Sequence, residues 1–327
     1  MSDRDRFEFR GPVRTVDIEV DGRSSRHEFR PDGALVRQWH QNGNGSDSTV
    51  IYTYDAADHL ESVRFESSSG PTSLRRYEYD EAGRLARLLL RDPDGGERVL
   101  ESCDYDAQGR KTKIFFAHES VGYGVEGSKE FYSAPNATTI ITVYNGADRP
   151  AELLFRDAAG ALLSRVDFRY DEFGHLIQES QTISESPLPP NVLEQLNPAQ
   201  REAVRELLGN EAVQSIHRYY SFGRRIETVF SPFGQLSTRR VSMGYNEYGD
   251  LSQEITEREQ RDFGFKEEGG PLESGPIQRS RSELRFRYEY DARGNWTSKI
   301  IESSHGESQD CLVASTERRT LTYFDLI

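Results

Sequence analysis

Residues 75–89 read RRYEYDEAGRLARLL. The tetrapeptide Tyr77-Glu78-Tyr79-Asp80 returns near the other end of the chain as Tyr288-Glu289-Tyr290-Asp291, inside YEYDARGNW. Both copies run aromatic, Asp, two variable residues, Gly. Repetition at a fixed period is the signature of a repeat architecture. The pattern recurs, with Asn, Arg or Tyr standing for Asp and Asp for Gly in places, from Phe29 to Gly33, Tyr54 to Asp58, Tyr105 to Gly109, Tyr144 to Asp148, Tyr170 to Gly174, Tyr219 to Gly223 and Tyr245 to Gly249. Gly33 to Asp58 and Asp58 to Gly83 are 25 residues each, and Gly83 to Gly109 is 26. Gaps of 39, 49 and 45 residues follow Gly109, Gly174 and Gly249, each one repeat plus an insertion.

The motif has the chemistry of a hairpin corner. Asp at the first turn position accepts a bond from the backbone N–H two residues on. Gly at the fourth supplies a positive φ and a bulge. The corner residues are Asp80 and Gly83, Asp106 and Gly109, Asp171 and Gly174, Asp291 and Gly294. Asp58 and Asp148 replace Gly, which Asp tolerates with some strain. A second set of turns lies midway, as in Asp157-Ala158-Ala159-Gly160. Two turns per period leave two strands of roughly eight residues. Tyr77 and Tyr79 then share one sheet face and Glu78 the other. The expected fold is mainly β: a curled antiparallel sheet of about eighteen strands, one domain over 1–327, with one helical insertion.

Composition limits the function. Hydrophobic residues are 35% of the 327, and Tyr and Phe number 16 and 17, too aromatic for a disordered chain. Net charge is −14 with no dense Lys/Arg block, so nucleic acid and anionic membrane surfaces are not expected partners. The start, MSDRDRFEFR, is no secretory signal, and no apolar run is long enough for a spanning helix. A cytoplasmic location, or export without a cleaved signal, is the expectation. Cys103 and Cys311 have neither disulfide nor metal spacing.

The segment Tyr77-Glu78-Tyr79-Asp80-Glu81-Ala82-Gly83-Arg84-Leu85 resembles the YD repeat of RHS-type proteins, as does Phe168 to Leu176 with His175 in the Arg position. Gly294-Asn295-Trp296-Thr297 is similar to a variant in the last repeat of short stand-alone members, and Gly11 to Val16 to their first strand. The resemblance implies hairpins that curl as they accumulate, in bacterial secretion, surface or competition systems. The ending and toxin domain of the large cargo-carrying members are not found, so the resemblance points to a short member.

Three insertions interrupt the period. Residues 118–131 and 258–281 read as loops rich in Gly, the second also charged and containing Pro. Residues 187–216 read as helical. Asn197 is an N-cap before Pro198, Ala199, Ala203, Val204, Leu207 and Leu208 follow at helical spacing, and Val213 and Ile216 suggest a further turn. The segment is expected to cover sheet aromatics; the other readings are a plug or lid over a cavity in the rolled sheet and a partner-binding helix.

Catalytic signals in the sequence are weak, metal binding has little support, and nothing supplies a cofactor. The seven His form no metal-binding spacing, and no nucleophile elbow or Walker loop occurs. Trp39, His40, Tyr132 and Trp296 are candidates for stacking on a ligand, a sugar ring above all. The expected function is a non-enzymatic YD-repeat scaffold that binds a partner, protein or glycan, or forms a shell. The alternative is a carbohydrate-binding module. An enzyme with its site beneath 187–216 is the third reading, and it requires clustered titratable groups there.

Overall fold

The computed structural model describes residues 7, 9–41, 46–92, 95–116, 132, 134, 136–183, 197–202, 211–219, 224–231, 237–265, 272–306 and 311–324; for 211–215, 219, 262–265 and 272–274 only the backbone is considered. Twenty strands form one antiparallel sheet. In chain order they are β1 (Val13–Val20), β2 (Arg23–Phe29), β3 (Leu35–Gln41), β4 (Asp47–Tyr54), β5 (Leu60–Ser67), β6 (Gly70–Tyr79), β7 (Leu85–Arg91), β8 (Glu97–Tyr105), β9 (Lys111–Phe116) and β10 (Thr139–Tyr144). Then come β11 (Pro150–Arg156), β12 (Leu162–Tyr170), β13 (Leu176–Ile183), β14 (Glu211–Tyr219), β15 (Arg225–Ser231), β16 (Ser237–Tyr245), β17 (Leu251–Phe265), β18 (Leu272–Tyr290), β19 (Trp296–His305) and β20 (Leu312–Tyr323). Each strand pairs with the next in sequence. Nine corners join β2 to β3, β4 to β5, and so on to β18 and β19, which gives the expected eighteen strands. The two extra are β1 and β20.

Those two close the sheet. Val16 pairs with Leu321, Ile18 with Arg319 and Val20 with Glu317. The Thr15 and Thr322 hydroxyls meet at 2.7 Å, and the Phe324 N–H donates to the Pro12 carbonyl at 2.9 Å. The result is a barrel, which removes both sheet edges.

A ring of this size cannot fill itself. Its perimeter is about 96 Å at ~4.8 Å per strand, a circle ~30 Å across, whereas opposed sheets that share a core stand ~10 Å apart. The accessible surface is 19848 Å². A compact chain of this mass exposes about 13,700 Å². The excess is wall, exposed on both sides.

The insertions differ from expectation in two places. Within the expected loop 258–281, residues 258–265 and 272–281 are strand and extend β17 and β18, with Glu257 paired to Arg281 and Glu259 to Arg279, while 266–271 lie outside the described residues. The register shifts between Arg261 and Phe263, opposite Gly275 and Pro276. A bulge is where a sheet accepts Pro, which is why composition alone misread the segment. Likewise 211–216 is not helical but the start of β14, with Gln214 opposite Ser231 and Ile216 opposite Val229. Its apolar spacing was too short to separate helix from strand.

Residues 198–202 are helical. Asn197 caps them: its side chain accepts from the Gln200 N–H at 2.9 Å while Gln200 accepts from the Asn197 N–H at 3.0 Å. Residues 118–131, 187–196 and 203–210 of the expected insertions lie outside the described residues.

Candidate functional site

The corners come first, because they fix which side chains face the lumen. In the Asp80 corner the Gly83 N–H donates to the Asp80 carbonyl at 2.9 Å, and Gly83 has φ +74°. Asp80 Oδ1 accepts from the N–H groups of Ala82 and Arg84, at 3.0 and 2.9 Å. Its other oxygen takes Arg84 Nε at 2.8 Å. The Arg84 hydrogen bonds hold the Asp80 carboxyl below its ordinary value. The same backbone bonds recur at Asp106, Asp171 and Asp291.

Each corner also grips the next repeat. Arg84 lies over the Tyr105 ring, Arg110 over Tyr144, Arg149 over Tyr170 and Arg224 over Tyr245; His59 stacks on Tyr79. The ring hydroxyl donates back to the previous repeat: Tyr54 to the Leu35 carbonyl, Tyr79 to Leu60, Tyr105 to Leu85 and Tyr245 to Arg225, at 2.6 to 2.9 Å. This bond favours Tyr over Phe in those repeats; the Tyr170 hydroxyl is buried without such a partner among the described residues. The glycine has a second reason as well. A Cβ on Gly83 would stand 3.1 Å from the His59 ring, and on Gly174 or Gly249 it would collide with Arg149 or Arg224. Where Asp replaces Gly, the carboxylate takes the incoming guanidinium instead, Arg30 to Asp58 and Arg110 to Asp148, both at 2.6 Å.

The chain's beginning completes the last corner. Asp250 follows Gly249 where the pattern has Arg, and it accepts from the Tyr290 hydroxyl at 2.7 Å. Arg10 supplies the missing guanidinium, donating to the carbonyls of Gly294 at 2.9 Å and Tyr248 at 2.8 Å. Asn295 bonds the Arg10 main chain on both sides, at 2.6 and 2.8 Å.

Inside the ring two regions differ. On β9 to β12 the facing row Ile114, Ile140, Phe155, Ser164 is almost wholly buried. Tyr132, Ala134 and Ala137 join Leu153, Phe155, Val166, Phe168 and Leu176 in one apolar cluster. Within it lies a sealed polar chain. The Tyr132 hydroxyl donates to Glu179 Oε2, Glu179 Oε1 lies 2.6 Å from His217 Nε2, and His217 Nδ1 lies 3.0 Å from Thr228 Oγ1. Carboxylate, imidazole and hydroxyl in line resemble a catalytic relay. Glu179 is 1% exposed and His217 3%, so both lie enclosed in the wall. The arrangement holds Tyr132 to the wall. Sequence reading missed it, because the bulge at each corner shifts the inward alternation by one residue.

The second region is open. On β4 to β8 only Val63 and Leu89 are buried, and inward residues such as Tyr52, Phe65, Arg75, Tyr77 and Leu88 are half-exposed. Beside it, Phe7 and Phe9 cover Val13, Val16, Phe29 and Leu35. His27 sits under Phe7, ring centroids 5.1 Å apart. Burial, with His40 and Arg319 nearby, lowers its pKa to about 4. A cleft of about 620 Å³ opens between Phe7, Leu35, Tyr52, Tyr54 and Leu60.

The four stacking candidates are not brought together. Tyr132 is buried at 3% exposure. Trp296 is half-buried on β19, with the Arg319 guanidinium 3.2 Å above its ring and Tyr288 edge-on. Trp39 and His40 are consecutive on β3 and so face opposite sides, His40 toward His27. Cys103 lies on the inner face of β8 opposite Ile114, and burial pushes its thiol up to about 11. Among the described residues no group of His, Cys, Asp and Glu could hold a metal ion.

No family model matches the chain, and no curated protein does. Among solved structures, a porin-like protein from Bacteroides uniformis is similar at 11% identity and TM-score 0.31, over 96% of this chain and 98% of that one. TcdB2-TccC3 is similar at 12% identity and TM-score 0.21, over 90% of this chain and 20% of that one. At such scores neither likeness establishes a common fold.

Proposed function

We propose that the protein is a non-catalytic binding shell, a closed barrel of the YD-repeat type that takes a partner into its lumen. The open inner face of β4 to β8 carries this reading. A scaffold with no occupant gains nothing from half-exposed Tyr, Phe and Leu on an enclosed wall, since unburied apolar area contributes no folding energy. Aromatic rings with polar edges suit a bound polypeptide.

The outer wall favours an aqueous setting. A membrane-spanning barrel presents an outward apolar band about 25 Å tall. Here mid-strand outward positions carry ion pairs, Arg26 with Asp17 and Glu28, Arg76 with Glu78 and Glu97, Arg165 with Glu152 and Asp167. Among the described residues no helix is long and apolar enough to cross a membrane.

Cys103 tests the reading. With Cys311, the second free thiol, replaced by Ser throughout, a small methanethiosulfonate reagent should modify Cys103 in the folded protein, and a photocrosslinker attached there should capture an occupant. The same crosslinker on the outward neighbour, Ser102→Cys in a Cys103→Ser background, should capture none. A Cys103 that reacts only after unfolding, or capture from the outer position alone, overturns the proposal.

A further inference from the structure

The chain carries a net charge of −14, yet three arginines on its inner wall stand without an ion pair among the described residues. Faces follow from register. Tyr52 packs on the inner Phe7 and Phe9 cluster, and Tyr52, Val63, Arg75 and Leu90 are successive cross-strand partners, so Arg75 points inward. Arg239 and Arg258 share the face of Phe230, and Lys299 that of Tyr288.

Outward arginines such as Arg26, Arg76 and Arg165 lie against carboxylates. Inward ones differ. The Arg75 guanidinium sits over Phe65, 5.0 Å from its centroid, and Arg239 over Phe230 at 5.2 Å, each without a carboxylate partner among the described residues. Arg258 stands directly across from Arg239, a like-charge pair that destabilises a sheet. Lys299 and Arg319 divide one carboxylate, Glu317, at 3.5 and 3.2 Å. Glu254, Glu101 on the face of Cys103 and the sealed Glu179 are further inner carboxylates. What remains is local, the three arginines Arg75, Arg239 and Arg258.

Unneutralised guanidinium groups on aromatic platforms, in a partly enclosed space, form a receptor for carboxylates. Arg matches a carboxylate with two parallel hydrogen bonds, and low local dielectric strengthens them. We infer that the lumen takes an acidic polypeptide segment, its carboxylates meeting Arg75, Arg239 and Arg258 and its apolar side chains meeting the rings beside them. The inference rests on the binding-shell reading and adds the occupant's chemistry. A nucleic-acid strand is the less favoured polyanion, since tracking its phosphates calls for a dense basic row, whereas the inner arginines are scattered over β6, β16 and β17.

The test uses fluorescein-labelled deca-glutamate, with deca-glutamine and a ten-nucleotide oligothymidylate as comparators, by anisotropy at low and moderate salt. Deca-glutamate should bind at least tenfold more tightly than deca-glutamine and weaken as salt rises. Arg75→Gln with Arg239→Gln should cost at least tenfold in affinity, and the outward Arg64→Gln nothing. Should the double variant not fold, the exposed Arg258→Gln carries the test with a smaller loss. Equal binding of deca-glutamate and deca-glutamine, equal loss from Arg64→Gln, or tighter binding of the oligonucleotide overturns the inference. If Cys103 is accessible while deca-glutamate shows no preference, the shell stands and only the acidic occupant falls.

Discussion

The inner wall around β10 to β15 and the one formed by β4 to β8 are built from the same repeat, yet one is sealed and the other open. Their hairpins share corner, register and twist. The difference lies on top of them. Tyr132, Ala134 and Ala137, from the chain between β9 and β10, lie against the first wall, and Phe155, Leu153 and Val166 become fully buried. Nothing described covers the second. The repeat therefore supplies the ring, and residues outside the repeat supply its core. A barrel of few strands can fill itself with its own side chains, whereas one this wide leaves a lumen.

If that contrast is real, the largest effect belongs to the sealed side. Glu179→Ala leaves His217 and Tyr132 without their buried acceptor and should cost about 3–5 kcal/mol in urea unfolding. Tyr77→Ala on the open wall should cost roughly 1 kcal/mol, because a half-exposed ring has less to lose. Equal costs would abolish the distinction.

His27 probes the boundary between the regions. It is neutral when folded, with a pKa of about 4 against 6.5 unfolded, and the groups facing it are His40 and Arg319. The unfolded chain gains a proton first as pH falls. This contribution, up to about 3 kcal/mol, is complete above pH 6.5 and lost on descent to pH 4. His27→Gln should flatten the stability profile across that window. An unchanged profile means water already reaches the ring.

The corners run beneath both walls and should respond alike. Tyr79→Phe and Tyr144→Phe each remove one hydroxyl bond to a carbonyl, that of Leu60 and that of Lys111. About 1 kcal/mol each is expected from thermal unfolding. A large difference between them would show that the covering segment also stiffens the corners. Smallest of all, Asp58→Gly trades the Arg30 ion pair for relief of a non-glycine φ of +63°, and the net should lie within about 0.5 kcal/mol.

Much of the ring was legible before any coordinates. The period located nearly every turn, because Asp and Gly at fixed offsets have a backbone reason to be there. The positions after the turn glycine were harder. His59 and Arg84 look like solvated hairpin residues in one repeat, and only the neighbouring repeat shows that each covers a tyrosine. Closure was not legible at all, since β1 and β20 lack a shared motif and meet through Thr15, Thr322 and the Arg10–Asn295 exchange. Glu179 and His217 sit on strands with no distinguishing pattern. A pairing between side chains 38 positions apart leaves no local periodicity to read.

The seam between β1 and β20 also fixes an order of assembly. Every other strand pair joins neighbours in sequence and can form as soon as both strands exist. The seam joins the two ends of the ring, so it carries the largest loop-closure cost and comes last. Until then the chain is a strip with two bare edges, each the complement of the other. At low concentration a strip's own edge is the nearest partner. At high concentration the edge of another copy competes, and two strips joined reciprocally would make one larger ring with two seams. The bonds that finish the barrel thus set the concentration above which refolding gives exchanged dimers.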